Sequence, residues 1–296
     1  MNRASANLLL LITGAIWGGG FVAQATAMSA IGPVFFTGIR FLAAALALLP
    51  FAVWEARRAG RPFVPAPGEW MRFALLGTLL FSSLAVQQVG LLTTTVTNAG
   101  FLTGLYVVLT PLAGIAFFRH WPHRVIWPAS LMALAGIFLL SGGTLARLVV
   151  GDWWIILCAA LWACHVQFLG RFVADARPLQ LAFSQFLVAG VIGTVLAPFV
   201  EPVGLSMVTA AAGEILFAGV LSGGLAFTLQ AVAQRHTTAP QAAIFMSSEA
   251  LFAALFGFLL LGERIPPIGL VGCALIFTAM LAVELVPMLA TRQRAN

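Results

Sequence analysis

Residues 14–24 read GAIWGGGFVAQ, and they lie inside a stretch of the chain that is otherwise apolar enough to cross a membrane. The glycines at positions 14, 18, 19 and 20 leave little side-chain bulk there. Trp17 is also unusual in this setting, since tryptophan usually lies at the membrane interfaces. Gln24 is unusual because it places a polar amide in an apolar stretch. A second stretch, CAALWACH at residues 158–165, repeats the tryptophan half a chain later. These two stretches predict both the fold and its central site.

The composition is that of an integral membrane protein. Of the 296 residues, 61% are hydrophobic and 8% are charged, whereas a soluble domain carries roughly 25% charged residues. A membrane-spanning helix needs about 20 mainly apolar residues. The sequence predicts an all-α protein with ten transmembrane helices, at residues 8–27, 33–54, 72–91, 96–117, 125–142, 152–171, 178–199, 213–233, 239–260 and 266–286.

The distribution of arginine predicts the orientation of these spans. All fifteen basic residues are arginine. With the N-terminus inside, twelve of them fall in cytoplasmic segments, Arg147 and Arg264 fall outside, and Arg40 lies within the second span. Positive charge concentrates on the cytoplasmic side of membrane proteins. We therefore expect both termini to be cytoplasmic.

The chain resembles itself after a shift of 144 or 145 residues. This shift pairs Trp17 with Trp162, Phe73 with Phe217, Thr93 and Thr94 with Thr237 and Thr238, Phe101 with Phe245, and Pro122 with Pro266. It predicts two halves, residues 1–145 and 146–296, with five helices each. Because five is odd, the second half must enter the membrane upside down, as in the inverted repeats of secondary transporters.

The repeat places Trp17 and Trp162 near the same depth. Each lies about ten residues into its span, or roughly 15 Å at 1.5 Å per residue, and the two spans start from opposite surfaces. Both tryptophans should therefore approach the midplane. The glycines around Trp17 allow two interpretations: close packing of helices through small residues, or the lining of a cavity.

Several stretches resemble one transporter family. GAIWGGGFVAQ is similar to the W-G-x-x-F signature of the EamA-type branch of the drug/metabolite transporter superfamily, and residues 97–140 and 239–285 resemble the repeat of the same family. The closing motif includes Glu249, Gly262, Glu263 and Gly269, with Ala250 where the family often has a proline, so no proline kink is expected there.

This resemblance implies ten helices in two EamA repeats, a central substrate cavity and export of small metabolites such as amino acids by alternating access. Exporters of aromatic amino acids form one branch that the sequence resembles. Since no organelle-targeting segment is visible, the resemblance also implies the bacterial inner membrane as the location.

Two charged side chains lie well inside the apolar spans, away from the span ends: Arg40 in the second and Glu249 in the ninth. An ionised side chain in mid-membrane costs about 2.5 to 3.5 kcal/mol on the translocon scale. They either form a structural ion pair, or Arg40 extends to the outer surface, or both contact the substrate. Glu249 and His165 are also candidates for proton coupling, since imidazole titrates near neutral pH.

Amide, hydroxyl and aromatic side chains complete the predicted cavity. Amides can bind a zwitterion, although they also form hydrogen bonds between helices. Aromatic rings favour other rings and cations at their faces, which suits aromatic substrates. The candidates for substrate binding are Trp17, Phe21, Gln24, Arg40, Gln88, Asn98, Tyr106, Trp162, Gln185, Phe245 and Glu249.

The sequence favours a transporter over an enzyme or a channel. It has no HExxH and no GxxxxGK[ST] motif, and Asp152 and Asp175 lie near membrane surfaces, so we predict no catalytic residues, no metal site and no cofactor.

The expected partners are a small-molecule substrate and membrane lipid, without nucleic acid. Amino acids, preferably aromatic, are the predicted substrates; cationic aromatic drugs, nucleotide sugars and lipid carriers are the alternatives. The oligomeric state is left open.

Overall fold

A computed structural model describes residues 1–94, 96–143, 148–261 and 267–295, and these ranges are almost entirely helical. Three of the spans are divided into shorter helices, which carry the letters a and b, and a helical turn at Leu205–Ala210 precedes the eighth span. The helices are α1 (Arg3–Ala27), α2 (Pro33–Arg58), α3 (Pro67–Leu91), α4a (Val96–Thr103), α4b (Tyr106–Phe118), α5 (Ile126–Leu140), α6 (Val150–Phe172), α7 (Pro178–Val200), α8a (Ala212–Leu216), a π-helical segment (Phe217–Phe227), α8b (Thr228–Gln234), α9a (Ala239–Met246), α9b (Ser248–Leu261) and α10 (Pro267–Ala295).

The predicted all-α membrane fold is confirmed. Within the described ranges, nine of the predicted spans are long and apolar enough to cross a membrane, and α5 is a shorter apolar helix of 15 residues. Large apolar side chains such as Leu46, Leu131 and Phe277 are exposed on the outside of the bundle, as expected of a surface in contact with lipid. Several positions named from the sequence lie outside the described residues: the proposed repeat boundary, Arg147, Gly262, Glu263, Arg264 and Pro266.

The helices pack in a pattern that is unchanged when the two halves are exchanged. Helices α2 and α7 pack on each other, as do α5 and α10, and the members of each pair are equivalent under the repeat. The contact of α3 with α6 has its counterpart in α8 with α1, and that of α4 with α6 in α1 with α9. The bundle therefore has a pseudo-two-fold axis between the halves.

Two glutamates fix the α2–α7 pair in a reciprocal way. Both helices begin at a proline, which favours the first helical turn and leaves the following N–H groups free. The Glu201 carboxylate accepts hydrogen bonds from the N–H groups of Val34 (3.3 Å) and Phe35 at the start of α2. At the other end, the Glu55 carboxylate accepts them from Leu179 (3.4 Å) and Gln180 (2.9 Å) at the start of α7. Each half thus caps a helix of the other.

The two ends of the bundle differ in their polar contacts. We call the end where α1 begins the arginine-rich face, and the end where α1 finishes the opposite face. At the arginine-rich face, Arg3 forms an ion pair with Glu284 (3.1 Å) and donates a hydrogen bond to the Gln241 amide oxygen (2.8 Å). At the opposite face, the Thr94 hydroxyl donates to the Asp152 carboxylate. These contacts tie together helices that are distant in sequence.

Helices α4 and α9 are interrupted at similar positions in the two repeats. The break in α9 falls at Ser247, although Ala250 occupies the place of the family's proline. The Ser247 hydroxyl donates to the Ile244 carbonyl (2.7 Å), and such side-chain bonds compete with the helical backbone pattern. Irregular backbone at membrane depth requires burial in protein or a cavity beside it. The two breaks therefore mark the centre of the bundle.

Candidate functional site

A cavity of about 50 Å³ lies at the centre of the bundle, between the tryptophan pair and the opposite face. This volume holds only a few water molecules. Six of the eleven predicted binding residues line it: Trp17, Phe21, Gln24, Arg40, Trp162 and Glu249. The repeat thus brings together residues from helices α1, α2, α6 and α9.

Trp17 and Trp162 form the floor of the cavity. Their rings meet edge to face with centroids 5.5 Å apart, and each ring also packs on Phe227, at 4.8 and 5.5 Å. The Trp17 indole N–H donates to the Ser222 carbonyl (3.1 Å), which belongs to the π-helical segment. This bond gives the indole a buried partner. The floor separates the cavity from the arginine-rich face.

Gly14 and Gly18 allow α1 to lie directly against the backbone of α9. A Cβ at Gly18 would stand 2.7 Å from the Glu249 carbonyl oxygen and 2.8 Å from the Ala253 nitrogen, and one at Gly14 would collide with the Ser248 hydroxyl. At Gly20 the nearest atom would be 3.6 Å away. Close packing therefore explains the first two glycines, and this packing sets the position of Glu249.

Arg40 is buried in the cavity wall, with 3% of its surface exposed. Its Nη1 group donates to the Gln24 amide oxygen (2.8 Å), and its guanidinium carbon lies 4.9 Å from the centre of the Phe41 ring and 5.2 Å from that of Phe36. Its Nε and Nη2 groups have no hydrogen-bond partner in the part of the chain that the structure describes. Because the side chain is buried, Arg40 does not extend to the outer surface.

Gln24 binds one side of the Arg40 guanidinium, and Gln88 in turn binds Gln24. The Gln24 amide oxygen accepts from both Arg40 Nη1 and Gln88 Nε2 (2.9 Å). Gln88 is fully buried and contacts the cavity residues through this bond. The amide pair therefore fixes one edge of the Arg40 side chain and leaves the rest of its donors unused.

Glu249 lies across the cavity in the first turn of α9b, with 8% of its surface exposed. Among the described residues, its carboxylate forms neither an ion pair nor a hydrogen bond, and no ion pair joins it to Arg40. The ion pair considered from the sequence is therefore not formed in this structure. The N-terminal end of a helix favours a negative charge, so the position suits a carboxylate.

The other predicted residues lie around the cavity. The Gln185 amide oxygen accepts a hydrogen bond from His165 Nε2 (3.0 Å), and the His165 ring stacks on Trp162 at 4.9 Å. Tyr106 and Phe245 are buried in the core, and Asn98 lies in α4a. None of these residues, nor Gln88, is part of the described lining of this cavity.

Nine further residues line the cavity and were not among the predicted binding residues: Phe41, Ser83, Leu84, Gln87, Thr103, Cys158, Ala218, Ser222 and Phe227. Gln87 carried a visible signal, since an amide inside an apolar span requires a partner; its Nε2 group donates to the Thr103 hydroxyl (3.3 Å). Phe41 and Phe227 carried none, because the chain has 24 phenylalanines.

The chain is similar to known transporters. An uncharacterized transporter of Archaeoglobus fulgidus is 28% identical over 96% of this chain and 87% of its own length. The uncharacterized transporter YwfM of Bacillus subtilis is 25% identical over 95% of this chain and 94% of its own length. A solved crystal structure shares the fold, with a TM-score of 0.78 and 17% identity over 96% of this chain and 98% of that one.

Two consecutive segments, residues 4–142 and 149–285, each match the EamA-like transporter family. Together they cover nearly the whole chain and correspond to the two sets of helices related by the pseudo-two-fold axis. The chain therefore belongs to the EamA-like transporter family and is a multi-pass membrane transporter with two EamA repeats.

Proposed function

We propose that this transporter exports amino acids, with a preference for aromatic ones, across the bacterial inner membrane by alternating access. One observation carries the proposal: the central cavity is lined by one buried guanidinium, Arg40, and one buried carboxyl group, Glu249, beside aromatic rings. A zwitterion with an aromatic side chain matches these three features.

The other substrate classes fit this cavity less well. The phosphates of nucleotide sugars or lipid carriers need several cations, and Arg40 is the one cationic side chain among the described residues of the lining. A cationic aromatic drug would match Glu249 and the rings but would leave Arg40 buried without an anion, which is unfavourable. Amino acids satisfy both charges.

The position of the cavity supports alternating access. The tryptophan floor and the Arg3–Glu284 ion pair lie towards the arginine-rich face, whereas the cavity lies on the other side of the floor. With the arginine-rich face in the cytoplasm, this arrangement corresponds to a state closed towards the cytoplasm. In an inverted repeat, exchange of the conformations of the two halves produces the complementary state. A cavity of this size must also widen to accept an amino acid.

The test is uptake of labelled Phe, Trp, Thr and Met by purified protein in liposomes, with and without an imposed pH gradient. We expect saturable transport of Phe and Trp that exceeds that of Thr and Met. Protein-free liposomes measure the passive leak. Transport of cationic aromatic drugs without any amino acid transport would contradict the proposal.

A further inference from the structure

We infer that Arg40 is the anchor for a substrate carboxylate and that Glu249 receives the ammonium group, so that the cavity recognises the α-amino acid zwitterion in one orientation. This inference rests on the proposed function and specifies its substrate contacts. The two charged side chains line one cavity, and neither has a counter-ion among the residues described.

Arg40 carries hydrogen-bond donors that no described residue uses. A guanidinium carries five N–H groups, and buried polar groups in folded proteins nearly always have partners. Here Nη1 binds Gln24, whereas Nε and Nη2 have no partner within the described ranges. Nε and Nη2 form one edge of the guanidinium fork, and this edge matches the two oxygens of a carboxylate.

The Arg40 guanidinium is held in place before a ligand binds. The faces of Phe36 and Phe41 contact it, and Gln24 holds its far side. The backbone below it is also constrained, since a Cβ at Gly219 of the π-helical segment would stand 2.6 Å from the Arg40 carbonyl oxygen. A group fixed in this way loses little conformational freedom on binding, which favours affinity.

Glu249, in the wall of the same cavity, also lacks a partner among the described residues. An ionised carboxylate only accepts hydrogen bonds, and no described residue donates one to it. An anion alone would neutralise Arg40 and leave Glu249 unpaired, and an amine alone would do the reverse. A zwitterion supplies a partner to both groups, which removes the penalty for two buried polar groups without partners.

The repeat makes the arrangement asymmetric and therefore gives the substrate a single orientation. The shift of 145 residues places Gln185 at the position equivalent to Arg40 and Gly104 at the position equivalent to Glu249. Gln185 is already bonded to His165 (3.0 Å). Each charge therefore occurs once at this pair of positions, even though the helices around them are related by the pseudo-two-fold axis.

The test compares phenylalanine with two analogues in the wild-type protein, reconstituted in nanodiscs: phenethylamine, which lacks the carboxylate, and 3-phenylpropionate, which lacks the ammonium group. Binding is measured by calorimetry and transport in liposomes. We expect each analogue to bind at least about tenfold more weakly than phenylalanine, as for the loss of one charge-assisted hydrogen-bonded contact. Equal affinity for phenylalanine and phenethylamine would overturn the Arg40 anchor, and equal affinity for 3-phenylpropionate would overturn the role of Glu249.

Variants separate the anchor from the fold. Arg40→Gln, which copies the residue of the other repeat, should weaken phenylalanine binding about tenfold or more and leave phenethylamine binding unchanged; Arg40→Lys should retain part of the affinity. Arg58→Gln is the matched control, because Arg58 lies on the same helix, stacks over Trp54 (5.2 Å) and is exposed. An equal loss for both ligands in Arg40→Gln would overturn the inference.

Different outcomes would contradict the proposed function and the Arg40 anchor. If wild-type protein transports phenylalanine but does not discriminate against the analogues, the anchor is wrong while the proposed function stands. If it transports no amino acid, the proposed function and the inference fail together. Because the ligand comparison uses the wild-type protein, a folding defect in a variant cannot decide the result.

Discussion

Glu55 lies near the end of α2 and Glu201 directly after the end of the equivalent helix α7, and each binds the first turn of the helix that begins in the other half. Glu201 accepts hydrogen bonds at the start of α2 and Glu55 at the start of α7. The α2–α7 pair is thus closed at both ends by charge-assisted bonds from the opposite repeat. A carboxylate at a helix N-terminus is also favoured by the helix dipole.

Loss of either carboxylate should destabilise the bundle. Glu55→Gln and Glu201→Gln should each lower the free energy of unfolding by about 1 kcal/mol, the usual value of a helix cap, and the double variant by about the sum, because the two sites lie at opposite ends. Thermal unfolding in detergent measures this. Glu214→Gln, with no described hydrogen bond at its carboxylate, is the control. Equal melting temperatures for the wild-type protein and all four variants would contradict the prediction.

The packing of α1 on α9 should tolerate no added methyl group at Gly18. Gly18→Ala should destabilise the protein by about 1 to 3 kcal/mol through overpacking against the Glu249 carbonyl and Ala253, and it should reduce transport by displacing Glu249. Gly20→Ala is the matched control, since its Cβ would meet only ordinary contacts and alanine favours the helix. Similar unfolding temperatures for both variants would show that the contact is not restrictive.

The cavity floor should depend on Trp17. Trp17→Ala removes the edge-to-face contact with Trp162 and the hydrogen bond to Ser222. We expect a loss of about 3 to 5 kcal/mol of stability and loss of saturable phenylalanine transport. Trp121→Ala, at a residue that is exposed, should leave both unchanged. Saturable phenylalanine transport in Trp17→Ala would indicate that Trp17 does not form the cavity floor.

Proton coupling, if present, should involve Glu249 rather than His165. Glu249 lines the cavity, whereas His165 is stacked on Trp162 and bonded to Gln185 outside the lining. Stimulation of uptake by a pH gradient should therefore disappear in Glu249→Gln and persist in His165→Gln. Liposome uptake with and without the gradient measures it, and the opposite pattern would assign the coupling to the histidine.

The orientation can be tested with single cysteines. In a background with Cys158, Cys164 and Cys273 replaced by serine, Ala59→Cys probes the arginine-rich face and Val203→Cys the opposite face; both positions are exposed. In intact bacterial cells, a membrane-impermeant maleimide should label Val203→Cys, and Ala59→Cys only after lysis. Labelling of Ala59→Cys alone in intact cells would reverse the proposed orientation.

The sequence by itself determined the ten helices, their two-fold repetition and the convergence of Trp17 and Trp162. These features follow from long apolar runs and from spacing along the chain, which are local properties. Only the tertiary structure decided which side chains face the cavity. Gln185 and Tyr106 were predicted to line the cavity, but in the structure they lie beside it. Phe41 and Phe227 line the cavity, although the sequence did not predict this.

The physical reason is the membrane. Lipid tails are as apolar as a helix interface, so hydrophobic periodicity does not distinguish the side of a helix that faces the centre from the side that faces lipid. The inward face is set by close contacts between distant segments, such as Gly18 with Glu249 and Gly219 with Arg40. Those contacts place a buried guanidinium and a buried carboxyl group in one cavity without pairing them.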